Sequence, residues 1–152
     1  MKILKVKTRN REIGNFGERR AVWHLIKKGY RILKTNYEAN GAEIDIIARK
    51  KNITAFVEVK ARNVKHVGHM EARPASAVNP EKQRKIIKLS GYYRRTHPFD
   101  GRMRYDIIEV YLEDGKKRPK VKEIKHLEAA FNLDTAYDKS YYYKRKKEGS
   151  VL

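Results

Sequence analysis

No cysteine occurs among the 152 residues of this chain. That excludes disulfide frameworks and thiolate zinc sites, and it suits a reducing compartment. Long apolar runs are also missing, since nothing approaches the ~18 consecutive apolar residues of a membrane helix. The opening MKILKVKTRNR is basic but lacks the apolar core of a signal peptide, so a cytoplasmic protein with no membrane partner is expected. The five histidines are scattered without ligand spacing, which argues against zinc. Acidic residues are scarce: 18 Asp and Glu stand against 37 Lys and Arg, leaving a formal net charge of +19.

Cations are therefore what the chain has in excess. A field of this sign favours polyanions, and nucleic acid comes first because each phosphate contact releases counterions. Charge alone says nothing about catalysis. With 40% hydrophobic residues, the length suffices for one domain around one core.

Apolar periodicity organises the rest. In REIGNFGERRAVWHLIKKGY, Gly14, Gly17, Ala21 and Leu25 recur at spacings of three and four, with Ile13, Phe16 and Trp23 flanking that stripe. This predicts a helix ended by Gly29, and YRILKTNY follows as a first strand. Internal glycines cost a helix about 1 kcal/mol each against alanine, so a close neighbour or a bend is expected at Gly14 and Gly17. Residues 1–10 read as a basic arm.

AEIDIIA (42–48) and ITAFVEVKAR (53–62) flank the polar RKKN and read as a β-hairpin, with Asn52 suited to a left-handed turn position. A loop from Asn63 to Val78 leads to Asn79-Pro80, a cap followed by proline at the first helical position. That second helix runs to about Arg95, with Ile86, Leu89, Ser90 and Tyr93 on one side. HPFDG breaks the chain, MRYDIIEVYL is a further strand, and PKVKEIKHL a short one. Beyond EAAFN the pattern fades into SYYYKRKKEGSVL, a basic tail whose tyrosines could stack on unpaired bases. The order predicts a single α/β domain over 1–131 and a tail over 132–152.

A hairpin turn centred between Lys51 and Asn52 sets Asp45 opposite Glu58 and Glu43 opposite Lys60. Opposed Cβ atoms stand about 4.5–5.5 Å apart, and two carboxylates that close on a mostly buried face repel unless a proton or cation intervenes. Oxygen ligands of this kind suit a hard divalent cation, Mg²⁺ or Mn²⁺. Lys60 is then placed where an ammonium can orient water or neutralise charge during phosphodiester cleavage. Glu18, on the stripe of Gly14 and Ala21, offers a further carboxylate.

A plainer reading stands beside this one. Glu43 and Lys60 can form an ordinary cross-strand ion pair. Asp45 and Glu58 can face solvent, because Ile44, Ile46, Val57 and Val59 make a cleaner apolar face than Ile47 and Phe56. Asp106, in RYDII, reads as an acid near the site or, more simply, as a structural carboxylate. On the second helix, Lys82, Arg84, Lys85, Lys88, Arg94 and Arg95 are expected phosphate contacts. Gln83 either positions water or phosphate or is an ordinary amide on a polar face.

In chain order, GNFGERRAVWHLIKKGYRILKTNY, GAEIDIIA, FVEVKAR, SAVNPEKQRKI and RYDIIEV resemble the YraN-like family of predicted endonucleases, relatives of the archaeal Holliday-junction resolvases in the PD-(D/E)XK nuclease superfamily. The resemblance spans about Arg11 to Phe131. It implies a restriction-endonuclease-like α/β fold, a three-layer core with a mixed central sheet flanked by helices. It also implies Asp45 and Glu58 as metal ligands, Lys60 as the catalytic lysine and Glu18 as the helix carboxylate. Glu43 stands at the family's GEID glutamate and Gln83 on its K-Q helix, while Ala42 departs from the family's usual glycine. The implied activity is Mg²⁺- or Mn²⁺-dependent cleavage of DNA, selective for branched or repair intermediates, and junction-cutting relatives imply a homodimer. Two other readings are a non-catalytic nucleic-acid-binding module and a basic protein-interaction factor. A pure binder has no reason to oppose two carboxylates.

Overall fold

Helix α1 (Lys2–Lys27) begins at the second residue of the computed structural model, so the residues expected as an arm form its first turns. The structure describes residues 2–64 and 78–138, with side chains from residue 10 onward. The stretch from 65 to 77 and the tyrosine-rich tail from 139 lie outside the described residues. Gly29, at φ +86°, ends α1 in a left-handed turn, and Tyr30 N–H closes on Leu25 O at 3.0 Å. Then follow β1 (Arg31–Ala39), β2 (Ala42–Lys50), β3 (Ile53–Asn63), α2 (Pro80–Thr96), β4 (Arg102–Glu113), β5 (Lys120–Phe131) and α3 (Leu133–Tyr137).

The strands form one sheet in sequence order, β1-β2-β3-β4-β5. Among the described strands only β3 and β4 pair in parallel, so the sheet is mixed, and α2 lies in the crossover that a parallel pair requires. Asn79 caps α2 as expected, its side chain accepting Lys82 N–H at 2.9 Å, with Pro80 in the first turn.

Both faces of the sheet are covered. On one side Ala21 and Leu25 of α1 pack with Ile46, Val57, Val59, Ile108 and Val110. On the other, Ile86, Leu89 and Tyr93 of α2 pack with Ile44, Ile47, Phe56 and Ile107. Helices thus sandwich the sheet in three layers. Strands buried on both faces carry nearly continuous apolar runs, which is why neither face of the hairpin looked decisively apolar in sequence. Asp45 and Glu58 accordingly are both buried.

The two helical glycines differ. A Cβ on Gly17 would collide with the Ala61 side chain of β3, so this glycine lets α1 lie close against the sheet. Around Gly14 nothing lies within 4 Å of such a Cβ. The left-handed residue of the hairpin is Lys51, at φ +53°, rather than Asn52. Asn52 instead uses its carbonyl to accept Arg102 N–H at 2.8 Å, tying the hairpin to the start of β4.

The last strand is longer than its pattern suggested. Register shifts and a left-handed Ala129 (φ +52°) interrupt its alternation, and it lies at the sheet edge. After it, Asn132 and Thr135 cap α3 reciprocally, and Arg84 of α2 donates to Ala136 O at 2.8 Å.

Candidate functional site

The β2–β3 ladder follows the expected register through Ile47↔Phe56 and Ile46↔Val57, and there its pairing stops. Asp45 is the next residue. Its Oδ2 accepts Val59 N–H at 2.7 Å, so a carboxylate takes a place that a strand carbonyl would otherwise fill. On the far side of β2, Asn36 of β1 sits between the partners of Ile46 and Ile44 at φ +49°, a left-handed conformation that asparagine tolerates. Ile44 and Ile46, two residues apart, pack in opposite cores, which strict alternation forbids. The sheet therefore opens where its acids are.

Glu58 is 2% exposed. Its Oε1 lies 3.2 Å from Lys60 Nζ and 3.6 Å from Lys82 Nζ of α2, while its Oε2 is buried without a hydrogen-bond partner. Lys60 thus pairs along its own strand, and the expected cross-strand pair with Glu43 is replaced. With the ladder open at Asp45, Glu43 turns instead toward α1. With the Asn36 amide turned so that its nitrogen, not its oxygen, faces the two acids, that nitrogen donates to Glu18 Oε2 at 3.1 Å and to Glu43 Oε1 at 3.2 Å and bridges them.

Asp45 and Glu18 respond to the acids around them. Burial pushes the Asp45 carboxyl up to about 7, aided by the charges of Glu58 and Glu18, against the pull of Val59 N–H and Lys82. Glu18 is also raised, first by burial and then by Glu43 and Glu58, with the Asn36 hydrogen bond opposing. A cleft of about 320 Å³ gives solvent access to Glu18 and Asp45, with Arg19, Trp23 and Asn36 on its walls.

The donor set suits a hard cation. Two buried carboxylates of limited hydrogen bonding lie together, one with an orphaned oxygen, and the other favours its neutral form. Among the described residues no group of three Asp, Glu or His side chains is placed to hold a metal ion. Magnesium does not need one, since it keeps waters and takes one or two carboxylates plus substrate phosphate.

The cations of α2 separate into groups. Lys82, Lys85, Lys88 and Arg95 recur at helical spacing and line adjoining grooves against the β1–β2 turn, Asn40-Gly41. Arg84 is committed to α3, lying over the Tyr137 ring as well as donating to Ala136. Arg94 lies over Phe99 and donates to Gly101 O. Gln83 is buried, and its amide donates to Val78 O at 2.8 Å.

Asp106 belongs to a different cluster and has the structural role. Burial alone would raise its carboxyl, but His126, both nitrogens of an Arg104 fork and Ala129 N–H outweigh it and hold the carboxyl low. Asn36 was not singled out in sequence, although asparagine's tolerance of left-handed backbone was the available signal. Lys82 was read only as a phosphate contact, and its tie to Glu58 depends on the packing of α2.

Residues 17–110, which include Glu18, Asp45, Glu58 and Lys60, match the profile of the uncharacterised protein family UPF0102. The chain belongs to the UPF0102 family. The UPF0102 protein of Caldanaerobacter subterraneus subsp. tengcongensis is 39% identical over 126 residues, which cover 82% of this chain and 98% of that protein. Those of Flavobacterium psychrophilum and Alkaliphilus oremlandii are each 42% identical, over 120 and 125 residues. These stretches cover 79% and 80% of this chain, and 93% and 99% of the two UPF0102 relatives.

Proposed function

We propose that this UPF0102 protein is a divalent-metal-dependent nuclease that hydrolyses phosphodiester bonds in DNA, selecting branched recombination or repair intermediates. The observation that carries the reading is the opened sheet at Asp45, where two buried carboxylates lie together and one of them, Glu58, meets a lysine that a plain strand has no need to hold there. Asp45 and Glu58 would hold Mg²⁺ or Mn²⁺, with Glu43 at the margin. Such an ion, when bound, polarises a phosphate and lowers the pKa of water beside it.

The chain's own groups divide the remaining work. Val59 N–H fixes one oxygen of Asp45, so the ligand is held on the strand backbone. Lys60, beside Glu58, keeps a cation next to the charge that develops on the cleaved phosphate. Glu18, with its raised carboxyl, holds a proton to higher pH than an exposed glutamate and can exchange it at the cleft. Lys82, Lys85, Lys88 and Arg95 supply sequence-independent contacts to the DNA backbone.

A non-catalytic DNA-binding module has one observation of its own. Lys60 and Lys82 together neutralise Glu58, as a metal-free protein would require. Cleavage separates the two. Four-way junctions, flaps, single strands and duplexes are incubated with Mg²⁺ or Mn²⁺ and wild type, Asp45→Ala or Lys60→Ala protein. The expected result is cutting by wild type, fastest on branched DNA, and a loss of about 10²-fold or more in each variant. If wild type cuts none of these, or the variants cut equally fast, the nuclease reading fails. Retained DNA binding by inactive Asp45→Ala protein would separate chemistry from affinity.

A further inference from the structure

We propose that the outer flank of α1 and the β4–β5 turn form a subsite for single-stranded nucleic acid, with Trp23 stacking on an unpaired base. On α1, the exposed Arg19, Arg20 and Trp23 follow at helical spacing from Phe16, which is half-buried against the core, on a different side from Gly17, Ala21 and Leu25, which pack on the sheet. Trp23 is 59% exposed, although an indole of this size gains much from burial. Arg20 lies over the Phe16 ring, its guanidinium carbon 5.9 Å from the ring centroid.

Facing this row is the β4–β5 turn, which carries Lys116, Lys117 and Arg118. The turn is tight, because a Cβ on Gly115 would collide with the Arg118 carbonyl. Between helix and turn runs a groove of about 850 Å³, lined by five arginine and lysine residues and by two acids, Glu12 and Asp114. Aromatic rings interleaved with cations along an open groove are what single strands use: bases stack and phosphates meet charge. A duplex keeps its bases stacked on each other and offers this indole no free ring face.

The groove also has a direction. Arg19 and Trp23 line both it and the cleft that holds Glu18 and Asp45. A strand held on Trp23 therefore leads to the carboxylates, which would bias the site to substrates with an unpaired arm beside the duplex. This last step rests on the nuclease reading, whereas the subsite itself does not.

Trp23 is the chain's single tryptophan, so its emission reports the subsite directly. The full chain is titrated with a short oligothymidylate and with a duplex of equal length, in chelator so that no cleavage intervenes. The expected result is strong quenching by the single strand and little by the duplex. Anisotropy with the same labelled strand should show Trp23→Ala binding about tenfold more weakly, the factor that 1.4 kcal/mol of lost stacking produces, with Trp23→Phe close to wild type. Lys116→Ala/Lys117→Ala should weaken the single strand while leaving the fold, followed by circular dichroism, unchanged. Single-strand binding without quenching, or with Trp23→Ala unaffected, would overturn the subsite. So would emission that changes on dilution of the protein alone and ignores the oligonucleotide, which would assign the face to a second copy. A protein that passes these tests yet never cuts DNA would sink the nuclease reading and leave the subsite standing.

Discussion

At the scale of single residues, Asp45 carries the electrostatic cost of the carboxylate cluster. Its carboxyl is pushed up to about 7 in the folded chain, against a value near 3.9 for an unfolded one. Between those values the folded state holds a proton that the unfolded state has lost. The contribution of Asp45 to stability is therefore complete below about pH 4 and is lost as pH rises through the folded value, at up to about 1.4 kcal/mol per pH unit. Asp45→Asn keeps an oxygen to accept Val59 N–H and removes the charge. In chelator the variant should melt above wild type at about pH 8, and the difference should vanish toward about pH 4. Added Mg²⁺ should raise the melting temperature of wild type more than that of the variant. A wild type whose stability is flat across this range would contradict the account. Asp106 has the opposite character, since its hydrogen bonds favour the ionised form and fill its coordination.

Among the elements, α1 is held where it is by one glycine. Gly17 meets Ala61 of β3 so closely that any side chain must push the helix outward, whereas Gly14 has open space. Gly17→Ala should destabilise the protein by about 1–3 kcal/mol, the usual cost of overpacking. Gly14→Ala should stabilise it by about 0.5–1 kcal/mol, the helix-propensity gain. Urea melts of the two variants measure the pair, and equal effects would mean that α1 does not rest on β3 through Gly17. The same close approach carries Glu18 to the sheet opening, so Gly17→Ala should also disturb the carboxylate cluster. Sequence periodicity located the glycines and the helix, but spacing treats them alike. Only the crossing of α1 over β3 distinguishes them.

For the whole molecule, the charge of +19 is not one diffuse field. Lys85, Lys88 and Arg95 border the β1–β2 turn and Lys82 beside them is tied to Glu58, while Arg84 and Arg94 are spent on α3, Phe99 and the Gly101 carbonyl. In duplex binding measured over a range of salt, Lys88→Ala should lower the slope of log K against log salt by about 1, the loss of one phosphate contact. Arg84→Ala should leave that slope unchanged and lower the melting temperature instead, because it releases α3. Should the two variants change the slope alike, this division of the cations is wrong.

What the amino-acid sequence determined by itself is what short-range physics controls. The α/β order, the Asn79 cap, the Gly29 stop and the hairpin register through Ile46↔Val57 all depend on residues a few positions apart. The cation excess was a sum over composition. Tertiary structure alone decided that both sheet faces are covered, that the ladder parts at Asp45, and that Lys60 and Lys82 meet on Glu58 while Glu43 turns to Glu18. The reason is that burial is non-directional: an apolar strand with two eligible faces does not say what will cover either. That decision belongs to α1 and α2, which reach the hairpin from opposite faces of the sheet, and it decides which charges are left inside.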